Sequence, residues 1–183
     1  VQYIVIEPID NTGYEGDVKF DIKLSTTDCN LGANYTATVT IVDDDHPLAA
    51  AGILGTYSVV GQSPFSNLPG PFNWTCVVQS DPDFENRVWF SQIAPDAGFT
   101  QAAVMGTVSD DMSTITILSG QSLGSDFKLV IADGASGADK SSTVASVSPG
   151  TSIRIGDMIL VGADGEEGYR AGAYSIVMTK VEE

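Results

Sequence analysis

Apolar and polar residues alternate with a period of two through most of this chain, and no long segment shows helical spacing. Short runs rich in Val, Ile, Thr and Tyr follow one another at intervals of about a dozen residues, as expected for strands with one buried face. The sequence therefore predicts an all-β protein. The clearest runs are QYIVIEPI, VKFDIKLS, YTATVTIV, GTYSVVGQ, FNWTCVVQS, RVWFSQI, QAAVMGTVS, STITILS, FKLVIAD, STVASVS, SIRIGDMILVG and AYSIVMTKV.

Turn-forming residues separate these runs, in segments such as DNTG, SNLPGP, DPDFEN, SDD and ADGEEG. Strands joined by tight turns form antiparallel sheets, which close into a sandwich or a barrel. The best helix candidate, HPLAAAGIL, is only about two turns long. The later strand series has eight or nine members, a number that suits a closed antiparallel barrel.

A domain boundary is predicted near His46 and Pro47, because Pro47 has no amide with which to continue a strand. We assign residues 1–46 to a first domain and residues 47–51 to a linker. Residues 52–183 form the second domain. The chain opens without Met on a strand-like segment, so we expect it to be part of a longer precursor.

The charge balance is strongly acidic, with 24 Asp and Glu against 8 Lys and Arg and a net charge of −16. Such a surface repels nucleic-acid backbones and anionic lipid headgroups, so we expect neither nucleic-acid binding nor electrostatic membrane docking. No stretch is apolar for long enough to cross a bilayer as a helix, so no membrane insertion of this chain is expected.

The sequence offers little catalytic chemistry, and we expect the protein not to be an enzyme. Its only histidine, His46, lies in the acidic junction, where it is expected to be solvated. One histidine there can supply neither a Ser-His-Asp site within the barrel nor a histidine-rich metal centre. The acidic pairs Asp110–Asp111 and Glu166–Glu167 lie in turns, where hydrated charge is normal. Cys76 is interpreted as a core thiol, and a bridge to Cys29 remains the alternative.

Residues 1–46 resemble the C-terminal part of a Calx-beta domain, an immunoglobulin-like sandwich. The resemblance rests on the acidic block YEGD with the strand FDIKL, and on the closing strand VTI with its three following aspartates. It implies calcium binding at this acidic end. The implied ligands are Glu15, Asp17, Asp43, Asp44 and Asp45. A complete Calx-beta domain is about twice as long, so part of the usual calcium site is missing from this segment.

Residues 52–183 resemble the lipocalin-like β-barrel domains of Bacteroidetes-type surface lipoproteins. The carrying segments are GTYSVVGQS, VVQSDPDFENRVWFSQI and VMGTVSDDMSTITILSGQSLG, in this order. The resemblance implies an extracellular or cell-surface location, with a lipid anchor in the complete precursor. Most such domains are uncharacterised, so the resemblance implies a fold and a location and little chemistry.

The function expected from these observations is that of a noncatalytic surface module for adhesion or scaffolding, with other surface proteins or glycans as partners. The alternative is a barrel that binds a small ligand or a glycan at its mouth. A scaffold predicts an interior filled by side chains, and a ligand-binding barrel predicts an open cavity. The aromatic candidates for ligand contact are Tyr57, Phe72, Trp74, Trp89, Phe90 and Tyr174, with the loop GQSPFSNLPGPF as a cover of the mouth.

Overall fold

The structure is a computed structural model in which the chain forms two compact units, Val1–Pro47 (unit 1) and Leu48–Glu183 (unit 2). It describes residues 4–9, 14–25, 27, 35–41, 45–65, 70–96, 98–163 and 168–182. Strands account for 54% of the structure and helix for 3%, which confirms the prediction of an all-β protein. None of the helical segments in these residues has the length and apolarity needed to span a membrane.

Unit 1 contains an antiparallel hairpin of β1 (Val18–Lys23) and β2 (Thr36–Ile41). The hydroxyl of Thr38 donates to the carboxylate of its cross-strand neighbour Asp21 at 2.6 Å. Residues 4–9, which alternation predicts to be a strand, have no regular secondary structure. A strand is stabilised by cross-strand pairs. Within the described part of unit 1, β1 and β2 pair only with each other.

Unit 2 begins with a four-residue helix and continues as strands to the end of the described chain. The helix α1 is followed by twelve strands, each of which pairs antiparallel with its neighbours. The last of them, β14, is the longest and closes the fold. The bounds are α1 Pro47–Ala50, β3 Gly55–Gln62, β4 Phe72–Ser80, β5 Arg87–Phe90, β6 Val104–Val108, β7 Thr114–Leu118, β8 Ser122–Gly124, β9 Phe127–Ala132, β10 Asp139–Lys140, β11 Ser142–Ser148, β12 Ser152–Ile155, β13 Met158–Ala163 and β14 Tyr169–Lys180.

Eight of these strands form a closed antiparallel barrel, as the spacing of the strands predicts. The order around the barrel is β3-β4-β5-β6-β7-β11-β12-β14, and β14 closes the ring by pairing with β3. Each barrel strand therefore neighbours the barrel strand that precedes it in the chain. Closure leaves the barrel without an edge at which another strand could add.

A smaller sheet extends from the barrel, and the sequence does not predict it as a separate element. In this sheet β9 pairs with β13 on one side and with the short β8 and β10 on the other. The strand β14 belongs to both sheets, because its first half pairs with β13 and its second half with β3. The predicted single run SIRIGDMILVG is divided into β12 and β13 at Gly156 and Asp157.

The barrel interior is filled by apolar side chains at alternate positions of every strand. On β3, for example, Tyr57 and Val59 are buried, whereas Ser58 and Val60 are exposed. One continuous buried cluster includes both the barrel interior and the inner face of the smaller sheet. Its members within the barrel strands are Tyr57, Val59, Cys76, Val78, Val88, Phe90, Val104, Val108, Ile115, Ile117, Ala145, Ile153, Ile155, Ala171, Ala173, Ile176 and Met178.

One polar side chain, Thr143 on β11, is buried in this interior with 1% of its surface exposed. Among the described residues its hydroxyl has no hydrogen-bond partner. An unsatisfied buried hydroxyl carries a desolvation cost that a methyl group of similar shape does not. We therefore expect Thr143→Val to raise the free energy of unfolding of unit 2 by about 1 kcal/mol.

Urea denaturation followed by tryptophan fluorescence measures this change, because both tryptophans, Trp74 and Trp89, lie in unit 2. The matched control is Thr75→Val at an exposed position of β4, for which we expect a change within about 0.5 kcal/mol. Destabilisation by Thr143→Val would show that the hydroxyl is satisfied.

The segment predicted to be a linker, residues 47–51, forms α1 and the turn after it. This segment is not a solvated spacer, because Leu48 is buried in the barrel core together with Ile53. The hydroxyl of Tyr57 donates to the carbonyl of Ile53 at 2.7 Å, and Lys180 Nζ donates to the carbonyl of Gly52 at 2.8 Å. These contacts fix the turn after α1 over the end of the barrel at which β3 begins.

Candidate functional site

An open groove lies at the opposite end of the barrel, beside Trp74 on β4. Gly61 pairs with Phe72 and Gly55 with Val78, so Trp74 lies towards the end of β3 that is remote from α1. Trp74 shares the inward phase of Cys76 and Val78, but it remains partly exposed. Its indole nitrogen donates to the carbonyl of Gln92 at 3.1 Å, which fixes the ring plane.

The loop of residues 91–103, which joins β5 to β6, forms the wall of the groove facing Trp74. Its first part is anchored in the core, since Ile93 and Ala94 are buried. The buried amide of Gln101 donates to the carbonyls of Ala94 and Pro95 at 3.0 and 3.1 Å. These bonds connect Ala94 and Pro95 to Gln101, so they fix the described residues on the two sides of the loop.

The tip of the loop is fixed by a local turn and by an aromatic contact. The carboxylate of Asp96 accepts a hydrogen bond from the amide of Gly98 at 2.7 Å. The ring of Phe99 stacks on Phe127 of the smaller sheet, with 4.7 Å between the ring centroids. The guanidinium of Arg170 lies 5.1 Å from the same Phe127 ring, in cation–π geometry.

The resulting groove has a volume of about 710 Å³, within the range of known small-molecule sites. Its lining combines two aromatic rings with hydroxyl, amide and carboxylate groups. Such a surface can bind a ligand that has both an apolar face and several hydroxyl groups. The lining residues are Trp74, Ser91, Gln92, Asp96, Gly98, Phe99, Thr100 and Gln101.

Several carboxylates elsewhere in unit 2 have structural roles in turns. In the β4–β5 turn, Asp81 is buried and accepts hydrogen bonds from the indole of Trp89 and the amide of Asp83, both at 2.9 Å. In the β6–β7 turn, hydrogen bonds from Ser109 and Ser113 lower the pKa of Asp111 to about 2. The predicted turn position of Asp110 and Asp111 is confirmed, whereas Glu166 and Glu167 lie outside the described residues.

The core contains two further titratable groups, Cys76 and Tyr57, which pair across β3 and β4. Burial raises the pKa of the Cys76 thiol to about 11. Burial and the neighbouring Cys76 raise the pKa of Tyr57 to about 12. Both groups are therefore neutral at physiological pH, and the interpretation of Cys76 as a core thiol is confirmed. Its alternative partner, Cys29, lies outside the described residues.

Three of the five predicted calcium ligands lie within the described residues. Glu15, Asp17 and Asp45 are described, and Asp43 and Asp44 are not. Within the described residues, no three or more Asp, Glu, His or Cys side chains form a group that could hold a metal ion. The assignment of Glu15, Asp17, Asp43, Asp44 and Asp45 as calcium ligands therefore stays a prediction.

The sequence-based expectation that His46 is solvated is wrong. Only 5% of His46 is exposed, and its ring lies edge-on against Tyr14 with 4.6 Å between centroids. Aromatic rings favour this T-shaped geometry, which removes imidazole surface from water. An acidic sequence context therefore does not keep this side chain in solvent.

The groove is built mainly by residues that the sequence analysis did not single out. Trp74 is among the predicted aromatic candidates, but Gln92, Asp96, Phe99 and Thr100 are not. The segment SQIAPDAGFTQ gives one usable signal, because a proline, a glycine and an aromatic residue interrupt the strand pattern between β5 and β6. Comparisons with protein-family models, curated proteins and solved structures gave no significant match.

Proposed function

We propose that this chain is a noncatalytic module of an extracellular or cell-surface protein, of the adhesion or scaffold type. The observation that carries the proposal is the filled barrel interior, in which alternate side chains of all eight strands pack into one apolar core. Such an interior provides a rigid body whose outer surface and loops are available for contacts. The location at the cell surface rests on the sequence resemblance of residues 52–183.

Titration with cis-parinaric acid, a fluorescent fatty acid that enters open apolar barrels, tests the scaffold proposal. We expect no saturable rise in the fluorescence of the probe, even at about 10 times the protein concentration at which an open barrel gives a signal. Saturable binding of one probe per unmodified chain would instead favour an internal ligand carrier.

Calcium binding at the acidic end of unit 1 is a further part of this proposal, and it is supported by the sequence blocks that resemble Calx-beta. Titration calorimetry with calcium chloride tests it. We expect a dissociation constant of about 10⁻⁴–10⁻³ M, as in other extracellular modules. The heat should disappear in Asp43→Asn/Asp44→Asn/Asp45→Asn. It should persist in the charge-matched control Asp83→Asn/Glu85→Gln/Asp110→Asn at exposed positions of unit 2, and equal heats in the two variants would contradict the assignment.

The groove beside Trp74 favours a second candidate function, the binding of a small ligand or glycan. Such a ligand would bind in the groove at the barrel mouth and not in the filled interior. The contacts that hold Trp74 and Phe99 in place support this candidate, because a preformed surface loses little conformational entropy on binding. Scaffold and ligand-binding roles are compatible, since the groove and the interior are separate regions of unit 2.

A further inference from the structure

We infer that the groove beside Trp74 binds a neutral oligosaccharide. The inference deepens the second candidate function above and rests on it. A sugar ring has an apolar face of C–H groups and a rim of hydroxyl groups. A site for such a ring therefore combines an aromatic surface with several hydrogen-bonding groups, and the groove has both.

The aromatic surface is fixed before any ligand arrives. The indole of Trp74 is held by its hydrogen bond to the carbonyl of Gln92. The ring packs against Gly61, where an added Cβ would lie 3.1 Å from Trp74 Cη2. Phe99 is similarly held by its stack on Phe127. Rigid aromatic side chains provide contact area at low entropic cost, which favours a shallow binding surface.

The polar groups of the groove include hydroxyl, amide and carboxylate groups, all of which can form hydrogen bonds with sugar hydroxyls. Thr100 and Asp96 are exposed on the loop, and Ser91 and Gln92 line the wall nearest to β4. The hydroxyl of Ser91 accepts a hydrogen bond from the amide of Val77 at 2.8 Å, which fixes its position in this wall. A carboxylate accepts strong hydrogen bonds from sugar hydroxyls, because charged acceptors bind more tightly than neutral ones.

Electrostatics favour a neutral ligand over an anionic one. The chain carries a net charge of −16, and the one acidic side chain that lines the groove is Asp96. A sulfated or uronic-acid sugar would meet this carboxylate on a strongly acidic chain. The guanidinium of Arg170, against Phe127 near the loop tip, is an opposing positive charge, so the comparison with an anionic probe is needed. The groove is also open to solvent, so a ligand larger than one sugar ring can extend beyond it.

Isothermal titration with three neutral probes, cellohexaose, mannohexaose and chitohexaose, tests the inference. We expect at least one to bind with a dissociation constant on the order of 0.1–1 mM. A heparin hexasaccharide is the anionic comparison and should bind at least about tenfold more weakly than the best neutral probe. Absence of saturable heat with all three neutral probes, or tighter binding of the heparin probe, would overturn the inference.

Substitutions on the loop locate the site without disturbing the core. We expect Asp96→Ala to weaken binding of the best probe about tenfold, because it removes a charged acceptor and the bond to Gly98. Asp96→Asn keeps an acceptor for that bond and should weaken binding less. The control is Asp83→Asn at the opposite end of the barrel, with an affinity unchanged within about twofold. Equal affinities in all three variants would place the ligand elsewhere and overturn the inference.

Fluorescence provides an independent readout of Trp74. In Trp89→Phe the remaining tryptophan is Trp74, so a saturable change in emission reports directly on the groove. We expect this change to follow the calorimetric binding curve. An unchanged emission during calorimetric saturation would overturn the inference. Failure of these experiments leaves the cis-parinaric acid result unaffected, so the inference and the scaffold proposal fail separately.

Discussion

Replacing Phe90 with alanine is expected to lower the free energy of unfolding of unit 2 by about 3–5 kcal/mol. The side chain on β5 has no exposed surface and is among the largest in the barrel interior. Its removal eliminates apolar contacts and leaves a cavity that the closed ring of strands cannot readily collapse to fill. Urea denaturation followed by tryptophan fluorescence measures the loss.

The matched control is Phe84→Ala, the same substitution in the turn before β5. Phe84 is 48% exposed, and its ring lies 3.6 Å from the guanidinium of Arg87. Loss of this exposed cation–π contact should cost no more than about 1 kcal/mol. If Phe90→Ala costs as little as Phe84→Ala, the interior is not closely packed around Phe90.

Gly106→Ala is expected to destabilise unit 2 by about 1–3 kcal/mol, although alanine is only one methyl group larger. Gly106 lies on β6 at a buried position facing the interior. A Cβ added there would lie 2.6 Å from Ile115 Cγ2 and 3.0 Å from Phe90 Cε2. Both neighbours are buried, so relief of the overlap requires movement of packed side chains or of the strand itself.

A control for the effect of alanine on the unfolded chain is Gly156→Ala, between β12 and β13. An added Cβ there meets no atom within 4 Å, and its φ lies outside the left-handed region. We expect Gly156→Ala to change stability by less than about 1 kcal/mol, in the stabilising direction. Denaturation curves of the two variants, measured together, separate overpacking from backbone entropy. Equal stabilities would mean that the barrel core can expand around Gly106.

The barrel was predictable because alternation is a local signal. GTYSVVGQ and FNWTCVVQS coincide with β3 and β4, and STVASVS coincides with β11. The adjacent residues Trp89 and Phe90 show the same local signal, since neighbouring residues of a strand face opposite sides, and Phe90 is buried whereas Trp89 is only partly so. In each case, the side chains that are buried can be identified from residues one or two positions apart in the sequence.

The smaller sheet and the groove were not predictable, because they depend on contacts between distant segments. The division of SIRIGDMILVG into β12 and β13 follows from the pairing of β13 with β9, which alternation does not encode. The wall of the groove depends on Gln101 reaching back to Ala94 and on Phe99 reaching Phe127. The loop expected to cover the mouth includes residues 66–69, which lie outside the described residues.

The calcium residues and the family resemblances remain predictions, for different physical reasons. A carboxylate cluster is a site only if its oxygens converge, and the convergence of Asp43 and Asp44 with Glu15 is set by loop conformation. The resemblance of residues 52–183 rests on the order of short segments. A closed antiparallel barrel accommodates many such sequences, so the fold alone does not identify a family.

Closure of the ring by its last strand has a consequence for biosynthesis. Because β3 pairs with β14, the first strand of the barrel cannot form its hydrogen bonds on that side until almost the whole unit has left the ribosome. During this interval one side of β3 presents unpaired amides and carbonyls, the arrangement most prone to association between nascent chains. Premature termination before Tyr169 would make that interval permanent and leave an insoluble product.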